Sequence, residues 1–414
     1  MSTVLIYTSP ARGHLYPMMD VALALQTAGH RVVVQTLADE RANVEAAGVE
    51  HRPIAAAIEA IEMEDYNASG MKAQLLAGLG CWMSRAPHEV RDLQSSIDEI
   101  GPDLLVVDAN SWGASALAQS RRQPWAMFMP YCLPLPSPQT PAFGPGFAPP
   151  RNGLDRLRDK VVWAGLGRIT GPAIKKLNAL RSTLGVPALG GLTDVYLQSD
   201  ALLYRTAEPF EYARQEWPDT VHAIGPGLWS PPAQAPEWLD ELPHPRVLVS
   251  VSTELQEDGA IIDTALAALA EEPGSLIVTT SALDPQGFSP PHDRTRIVRF
   301  VSHAAVVDEV DLVVTHGGMG ITQRALAAGV PLVVVPWGRD QAESARRVQQ
   351  SGAGVMLAPK KLTPEGMKAA VRDASGRSAS AARVAAGFAA AGGAVRAVGV
   401  LEGLLAPARS PVTP

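Results

Sequence analysis

The sequence is poor in the residues that mark secreted, metal-binding or membrane-spanning proteins. It contains 414 residues but only two cysteines, Cys81 and Cys132, which lack the spacing of metal ligands and give no reason to expect a disulfide. No uncharged apolar run approaches the roughly 18–20 residues of a membrane helix, and the amino terminus lacks the charged and cleavage regions of a signal peptide. We therefore expect a cytoplasmic protein with free thiols and no membrane partner.

Positive charge is also scarce. The chain has 35 lysines and arginines against 42 aspartates and glutamates, a net charge of −7, so we expect no nucleic-acid partner, which would need a basic face. Hydrophobic residues make up 46% and charged residues 19% of the sequence, as in soluble globular proteins. A chain of this length can form two domains with separate cores, and we expect a monomer or a homodimer.

Strand-like runs alternate with helix-length segments throughout the chain. This alternation predicts an α/β fold whose parallel sheets are covered by helices on both faces. The predicted strands comprise residues 4–8, 31–36, 50–53, 104–108, 125–129, 201–204, 221–224, 246–251, 276–280, 296–301 and 312–315.

A stretch rich in proline and glycine, GPGLWSPPAQAP, separates two such series of strands and predicts a domain boundary. We predict an amino-terminal domain of residues 1–225, a linker of residues 226–236 and a carboxy-terminal domain of residues 237–385, followed by a helical segment over residues 386–414. Each domain should be doubly wound and Rossmann-like, and the two should face one another across a cleft.

Residues 316–341, HGGMGITQRALAAGVPLVVVPWGRDQ, join a glycine-rich turn to a helix that begins near Met319. With the strand before it, this turn aims free backbone N–H groups and the positive helix end at a phosphate, and glycines allow the close approach. The expected ligand contacts are Gly317, Gly318 and Gly320 in the turn, His316 and Thr322 as donors to phosphate oxygens, and Asp340 and Gln341 as acceptors for sugar hydroxyls. Such turns are common in α/β proteins, so a purely structural role is the alternative.

His14 follows the first predicted strand, and Asp108 ends the fourth. In a doubly wound sheet of order 3-2-1-4-5 these strands are neighbours at the topological switch point, so both side chains should open on one crevice. A carboxylate that accepts from one imidazole nitrogen leaves the other free as a stronger base, as deprotonating a hydroxyl requires. The alternative is that His14 merely decorates a helix start and Asp108 caps the next helix.

These stretches resemble family 1 glycosyltransferases, including bacterial enzymes of macrolide, polyketide and enediyne type natural products. Residues 316–341 match that family's donor-sugar signature, and Gly13, His14 and Pro17 match its Gly-His-x-x-Pro element. The resemblance covers essentially the whole chain and implies the two-domain GT-B fold, in which the last helix packs back on the amino-terminal domain.

The resemblance also implies an inverting, metal-independent transfer that needs no cofactor. A nucleotide-diphosphate sugar of the dTDP-deoxysugar or UDP-glucose type would be the co-substrate, and a hydroxyl of a small hydrophobic aglycone, a natural product, would accept the sugar. His14 would be the general base and Asp108 would orient it. One alternative is an epimerase or hydrolase on the same fold, which would turn over the donor without an acceptor. The other is a non-catalytic binding protein, against which the presence of both His14 and Asp108 speaks.

Further donor contacts follow from the same resemblance. Thr253 would touch the diphosphate, Phe300 would stack on the base, and Val301 would meet the base edge through its backbone. Arg324 is the largest departure, because many relatives have at this position a glutamate that holds the ribose hydroxyls, and an arginine cannot accept hydrogen bonds. Arg324 could instead pair with phosphate, pair with a donor carboxylate, or point to solvent.

The acceptor side is indicated by an apolar stripe at helical spacing and by a Pro- and Gly-rich loop over residues 130–153. In the resembling family such segments build the acceptor pocket, whereas a stripe of this kind is equally typical of a helix in the core. The residues concerned are Met71, Leu75, Leu79, Trp82, Met83, Phe143 and Phe147.

Overall fold

The computed structural model describes residues 1–64, 68, 70–252 and 258–406, so the predicted contact Thr253 lies outside the described residues. Strands of two sheets follow one another along these residues. The first sheet contains β1 (Thr3–Tyr7), β2 (Arg31–Thr36), β3 (Glu50–Pro53), β4 (Leu104–Asp108), β5 (Trp125–Met129), β6 (Ala201–Tyr204) and β7 (Val221–Ala223). The second contains β8 (Arg246–Ser250), β9 (Ser275–Thr279), β10 (Thr295–Val298), β11 (Leu312–Thr315), β12 (Leu332–Val334) and β13 (Gly354–Met356).

Both sheets have the doubly wound strand order. The first runs β3-β2-β1-β4-β5-β6-β7 and the second β10-β9-β8-β11-β12-β13. Every strand pairing that the structure describes is parallel. The predicted α/β class with two Rossmann-like domains is therefore confirmed.

Helices cover both faces of each sheet. The helices of the first half are α1 (Arg12–Thr27), α2 (Arg41–Ala46), α3 (Ala56–Glu59), α4 (Met71–Ile100), α5 (Trp112–Ser120), α6 (Gly153–Thr183) and α7 (Leu192–Tyr196). Those of the second half are α8 (Gly259–Leu269), α9 (His303–Val306), α10 (Met319–Ala327), α11 (Gln341–Ser351), α12 (Pro364–Ser375), α13 (Ser378–Ala390) and α14 (Gly393–Leu405).

Strand β1 shows how the sequence builds two cores from one sheet. Val4 and Ile6 join the cluster on one face, whereas Leu5 and Tyr7 join the cluster on the other. Successive side chains of a strand point to opposite faces, so a strand that is covered on both sides must be apolar throughout. The same strand sits at the switch point, since it pairs with β2 on one side and β4 on the other.

The two last helices pack on different domains. Helix α13 lies on α10 of the carboxy-terminal domain, and α14 lies on α1, where Ala397 and Leu401 join the amino-terminal core. Length and composition alone would let Ser378–Leu405 span a membrane. In the structure the stretch is interrupted at Gly392, whose φ of 85° is a left-handed conformation that suits glycine.

Candidate active site

His14 and Asp108 meet at the carboxyl ends of β1 and β4. His14 lies in the first turn of α1, and its Nδ1 is 2.7 Å from Oδ2 of Asp108. The Asp108 side chain is fully buried and the His14 side chain is 18% exposed. Because a carboxylate only accepts hydrogen bonds, Nδ1 carries the proton and Nε2 keeps the lone pair of the ring. The structure thus brings the predicted pair together in the geometry that a general base requires.

Helix α4 holds the turn after Asp108 through a hydrogen bond. A carboxylate oxygen of Glu89 accepts a hydrogen bond from the backbone N–H of Gly113 at 2.8 Å, and burial raises the pKa of Glu89 to about 8. Gly113 itself is required, because a Cβ there would come within 2.0 Å of the Ala86 carbonyl oxygen. Helix α4 therefore holds the start of α5 against the sheet and keeps Asp108 in place.

Asn110 and Tyr131 also border His14, and neither was predicted from the sequence. The Asn110 Nδ2 lies 3.5 Å from Nε2 of His14, and the Tyr131 hydroxyl donates to Oδ1 of Asn110 at 2.7 Å. The only signal in the sequence was the position of Asn110, two residues after Asp108. Tyr131 follows β5, so its approach depends on the neighbouring positions of β4 and β5 in the sheet.

The glycine-rich turn joins β11 to α10. Gly317 has a φ of 100°, and a Cβ there would come within 2.7 Å of a Val334 methyl group. At Gly318 a Cβ would come within 2.5 Å of the His316 ring, whereas nothing lies within 4 Å of a Cβ placed at Gly320. The first two glycines are therefore needed for the turn, and Gly320 leaves open space at the helix start.

Two buried imidazoles flank this turn. Burial lowers the pKa of His316 to about 4, and the Ser250 carbonyl accepts a hydrogen bond from its ring. Burial likewise lowers the pKa of His303 to about 4, and its Nε2 lies 3.2 Å from the Ser250 hydroxyl. Both rings are neutral at pH 7, so each has one N–H to donate. His303, which starts α9, was not singled out from the sequence, because its position beside β8 appears only in the folded sheet.

The other predicted donor contacts differ in their exposure. The Phe300 side chain is 73% exposed, which leaves its ring free to stack on a base, and the adjacent Val301 is buried. Thr322 is also buried, and among the described residues its hydroxyl has no hydrogen-bond partner. Phe300 is in a loop because β10 ends at Val298, before the predicted end of this strand.

Asp340 and Gln341 are both partly occupied by contacts within the protein. Burial raises the pKa of Asp340, which also lies near His14 and accepts a hydrogen bond from the backbone N–H of Cys132. The Gln341 side-chain oxygen accepts from the backbone N–H groups of Trp337 and Gly338, at 2.7 and 2.9 Å. Asp340 therefore faces the amino-terminal domain, whereas the oxygen of Gln341 is used to shape the preceding loop.

Arg324 contacts the linker between the two domains. Its guanidinium donates to the Leu228 carbonyl oxygen of the linker at 2.5 Å, and burial lowers its pKa. The backbone N–H groups of Leu228 and Trp229 in turn donate to the carboxylate of Asp20 on α1. Packing of the linker thus brings a carbonyl group to the guanidinium, and pairing of Arg324 with phosphate or with a donor carboxylate stays a prediction.

The predicted acceptor stripe is divided between core and surface. Leu79 is buried in a cluster with Trp112 and Leu177, against which Leu75, Trp82 and Met83 pack. Met71 is exposed at the start of α4. Most of this stripe therefore holds α4 against α5 and α6, as in the core alternative. Among the described residues, no group of three or more His, Cys, Asp or Glu side chains could hold a metal ion.

Comparison with known sequences places the chain beside enzymes of natural-product biosynthesis. Residues 263–402 match the family described as erythromycin biosynthesis protein CIII-like, C-terminal domain. The chain is 30% identical to 4'-demethylrebeccamycin synthase of Lentzea aerocolonigenes, over 97% of this chain and 99% of that protein. It is 26% identical to demethyllactenocin mycarosyltransferase of Streptomyces fradiae, over 99% of this chain and 87% of that protein.

Solved structures share the two-domain architecture. The glycotransferase of kitacinnamycin superimposes with a TM-score of 0.73 at 23% identity, over 98% of this chain and 99% of that one. Glycosyltransferase VinC in complex with dTDP superimposes with a TM-score of 0.70 at 21% identity, over 97% and 99% of the two chains. At such low identity the likeness establishes a common fold.

Proposed function

Because this chain belongs to the GT-B glycosyltransferases of bacterial natural-product biosynthesis, we propose that it transfers a sugar from a nucleotide-diphosphate sugar to a hydroxyl group of a small hydrophobic aglycone. The observation that carries this proposal is the 2.7 Å contact of His14 with Asp108, close to Asp340 of the donor domain. In this proposal His14 is the base on one domain and Asp340 is the carboxylate on the other that holds the sugar.

The proposed reaction is a single displacement with inversion. Nε2 of His14 takes the proton of the acceptor hydroxyl, while the oxygen attacks the anomeric carbon from the face opposite the diphosphate. Asp108 holds the ring in the required tautomer and stabilises the imidazolium that forms. Asp340 holds sugar hydroxyls, so the anomeric carbon is positioned in front of the base.

We propose that the departing diphosphate is stabilised by the start of α10. Its backbone N–H groups after Gly318 point toward the turn. The single N–H of the neutral His316 ring is donated to the Ser250 carbonyl, so the backbone groups would supply the donors. Phe300, which is exposed, would stack on the base. No divalent ion is invoked in this scheme, so activity should survive excess EDTA.

We propose that the donor is a dTDP-deoxysugar and that the enzyme uses UDP-glucose no better than a dTDP-sugar. Arg324 provides no acceptor for ribose hydroxyls and is engaged by the linker. Relatives named as mycarosyl- and rhamnosyltransferases, and similar folds solved with dTDP or thymidine diphosphate, support this choice.

The test is a transfer assay with purified protein, a set of dTDP- and UDP-sugars and a mixed panel of apolar aglycones, analysed by mass spectrometry. We expect an aglycone whose mass rises by one sugar residue, with a dTDP-sugar at least as effective as UDP-glucose. Incubation of each donor without an aglycone is the control. Donor turnover at the full rate in that control would instead indicate an epimerase or hydrolase.

A further inference from the structure

The side chain of Asn110 is held in one orientation beside the candidate base. The Tyr131 hydroxyl donates to its Oδ1 at 2.7 Å, so the amide NH₂ group is turned toward His14, with Nδ2 3.5 Å from Nε2. The backbone N–H of Asn110 donates to Oδ1 of Asp108 at 2.7 Å. Asn110 is thus fixed both through its backbone and through its side chain.

This orientation places a hydrogen-bond donor next to the nitrogen that would receive the proton. Nδ1 of His14 is committed to Asp108, so the Nε2 lone pair is the only proton acceptor on the ring. A hydroxyl about to be deprotonated must bring its oxygen to about 2.6–3.2 Å from Nε2. Since Nδ2 of Asn110 lies 3.5 Å from the same atom, that oxygen would come within reach of the amide N–H.

We propose that Asn110 binds the acceptor oxygen directly and that Tyr131 is the positioning residue that aims its amide. This inference rests on the proposed role of His14 as the general base. In the transfer, the acceptor O–H bond breaks and its proton moves to Nε2. One oxygen lone pair forms the bond to the anomeric carbon, and the bond from that carbon to the diphosphate oxygen breaks with its electrons leaving on the diphosphate. The other oxygen lone pair accepts from Asn110.

The amide therefore acts where negative charge develops on the acceptor oxygen, and its effect should appear in the rate of transfer. Asn110→Ala and Asn110→Asp both remove the N–H donor, and the aspartate keeps the shape of the side chain. We expect kcat to fall about 10- to 100-fold in each variant. This loss is no larger than the one that follows removal of an oxyanion-hole donor. Binding of dTDP, measured by calorimetry, should not change, since it depends on the other domain.

Tyr131→Phe tests the positioning role, and Tyr196→Phe is its matched control. The Tyr196 hydroxyl lies 3.4 Å from that of Tyr131, and it is Tyr131 that donates to Asn110. Tyr196→Phe therefore removes one hydroxyl from the same cluster without removing the donor to Asn110. We expect a several-fold loss of kcat for Tyr131→Phe and a rate close to wild type for Tyr196→Phe. Equal losses in the two variants would overturn the positioning role of Tyr131.

The pH–rate profile separates this role from a merely structural one. An amide N–H that donates to Nε2 favours the neutral ring, so its removal should move the acidic limb of the profile to higher pH. Loosening of the His14–Asp108 contact would move the limb to lower pH. An Asn110→Ala enzyme with an unchanged rate and profile would refute the inference, whereas full activity of His14→Ala would instead refute the proposed base.

Discussion

At the scale of single residues, a histidine beside a carboxylate is not by itself a catalytic base, and this chain contains a useful comparison. Nδ1 of His244 lies 2.6 Å from Oδ2 of Asp311, much as His14 approaches Asp108. The side chains of the His244 pair are 53% and 47% exposed, whereas Asp108 is fully buried. Water screens the exposed pair, so only the buried carboxylate acts strongly on its imidazole.

We expect His14→Ala to lower kcat by about 10²–10⁴-fold and to leave donor binding nearly unchanged, because a base acts in the transition state. His244→Ala, which breaks a His–carboxylate pair of similar length outside the cleft, should keep kcat within about twofold, as a surface change does. Steady-state kinetics and calorimetry with the donor nucleotide measure both effects. A His14→Ala enzyme that retains more than half of the wild-type rate would contradict the assignment.

Contacts between residues at the ends of neighbouring strands can be predicted from the sequence more easily than contacts between distant segments of the chain. His14 and Asp108 could be paired in advance, because β1 and β4 are neighbours in any doubly wound sheet of this order. Asn110 and His303 could not, since their partners, Tyr131 and Ser250, belong to other segments of the chain. The contact of Gly320 with a ligand stays a prediction, since no protein atom lies within 4 Å of a Cβ placed there.

At the scale of secondary-structure elements, α11 of the carboxy-terminal domain contacts the loop of residues 130–153 in the amino-terminal domain. A carboxylate oxygen of Glu343 accepts from the backbone N–H groups of Gly144 and Gly146, at 2.8 and 3.2 Å. Arg347, one turn later, contacts Glu343 at 3.0 Å and Glu211 of the amino-terminal domain at 3.0 Å. Because α11 begins directly after Asp340, this buried network fixes Asp340 relative to the loop of residues 130–153.

Removing the cation of this network should be costly, because two buried carboxylates would face each other without it. We expect Arg347→Ala to lower the free energy of unfolding by about 3–5 kcal/mol, measured by urea denaturation. The matched control is Arg41→Ala, which breaks an exposed helical pair with Glu45 of the same i,i+4 spacing and should cost about 0.5 kcal/mol or less. Similar losses in both variants would show that burial of the Arg347 network adds no stability.

Strand prediction failed where strands are short or end early. Strand β13 has only the three residues Gly354–Met356 at a sheet edge, so no apolar run marks it. Strand β10 ends at Val298, whereas the predicted strand continues to Val301. Long buried strands such as β4 were predicted well, since burial on both faces demands a continuous apolar run.

At the scale of the whole molecule, the linker is held by both domains. Asp20 on α1 accepts from the backbone of Leu228 and Trp229, and Arg324 on α10 donates to the Leu228 carbonyl. A Cβ at Gly227 would come within 2.6 Å of Pro17, so the linker lies directly on α1. The prolines and glycines of residues 226–236 favour a linker, but contacts between domains leave no local pattern in the sequence.

This arrangement changes what substitution of Arg324 should do. From the sequence, Arg324→Glu would be expected to restore a ribose acceptor and tighten UDP-glucose binding. In the structure the new carboxylate would lie near Asp20, whose pKa is already raised by burial, so Arg324→Glu would disturb the linker as well as the donor site. Arg324→Met is the sharper variant, because it keeps the length of the side chain and removes only the charge and the donors.

We expect Arg324→Met to lower the free energy of unfolding by roughly 1.5–3 kcal/mol, the size of one hydrogen bond from a charged group. Affinities for dTDP and UDP should change by the same factor, since a linker contact does not distinguish the two bases. Urea denaturation and calorimetry measure these effects, and Arg168→Met on the exposed side of α6 is the control. If the variant keeps its stability but loses affinity for only one nucleotide, Arg324 contacts that nucleotide directly. The effect of Arg324 on donor binding would then not depend on the linker.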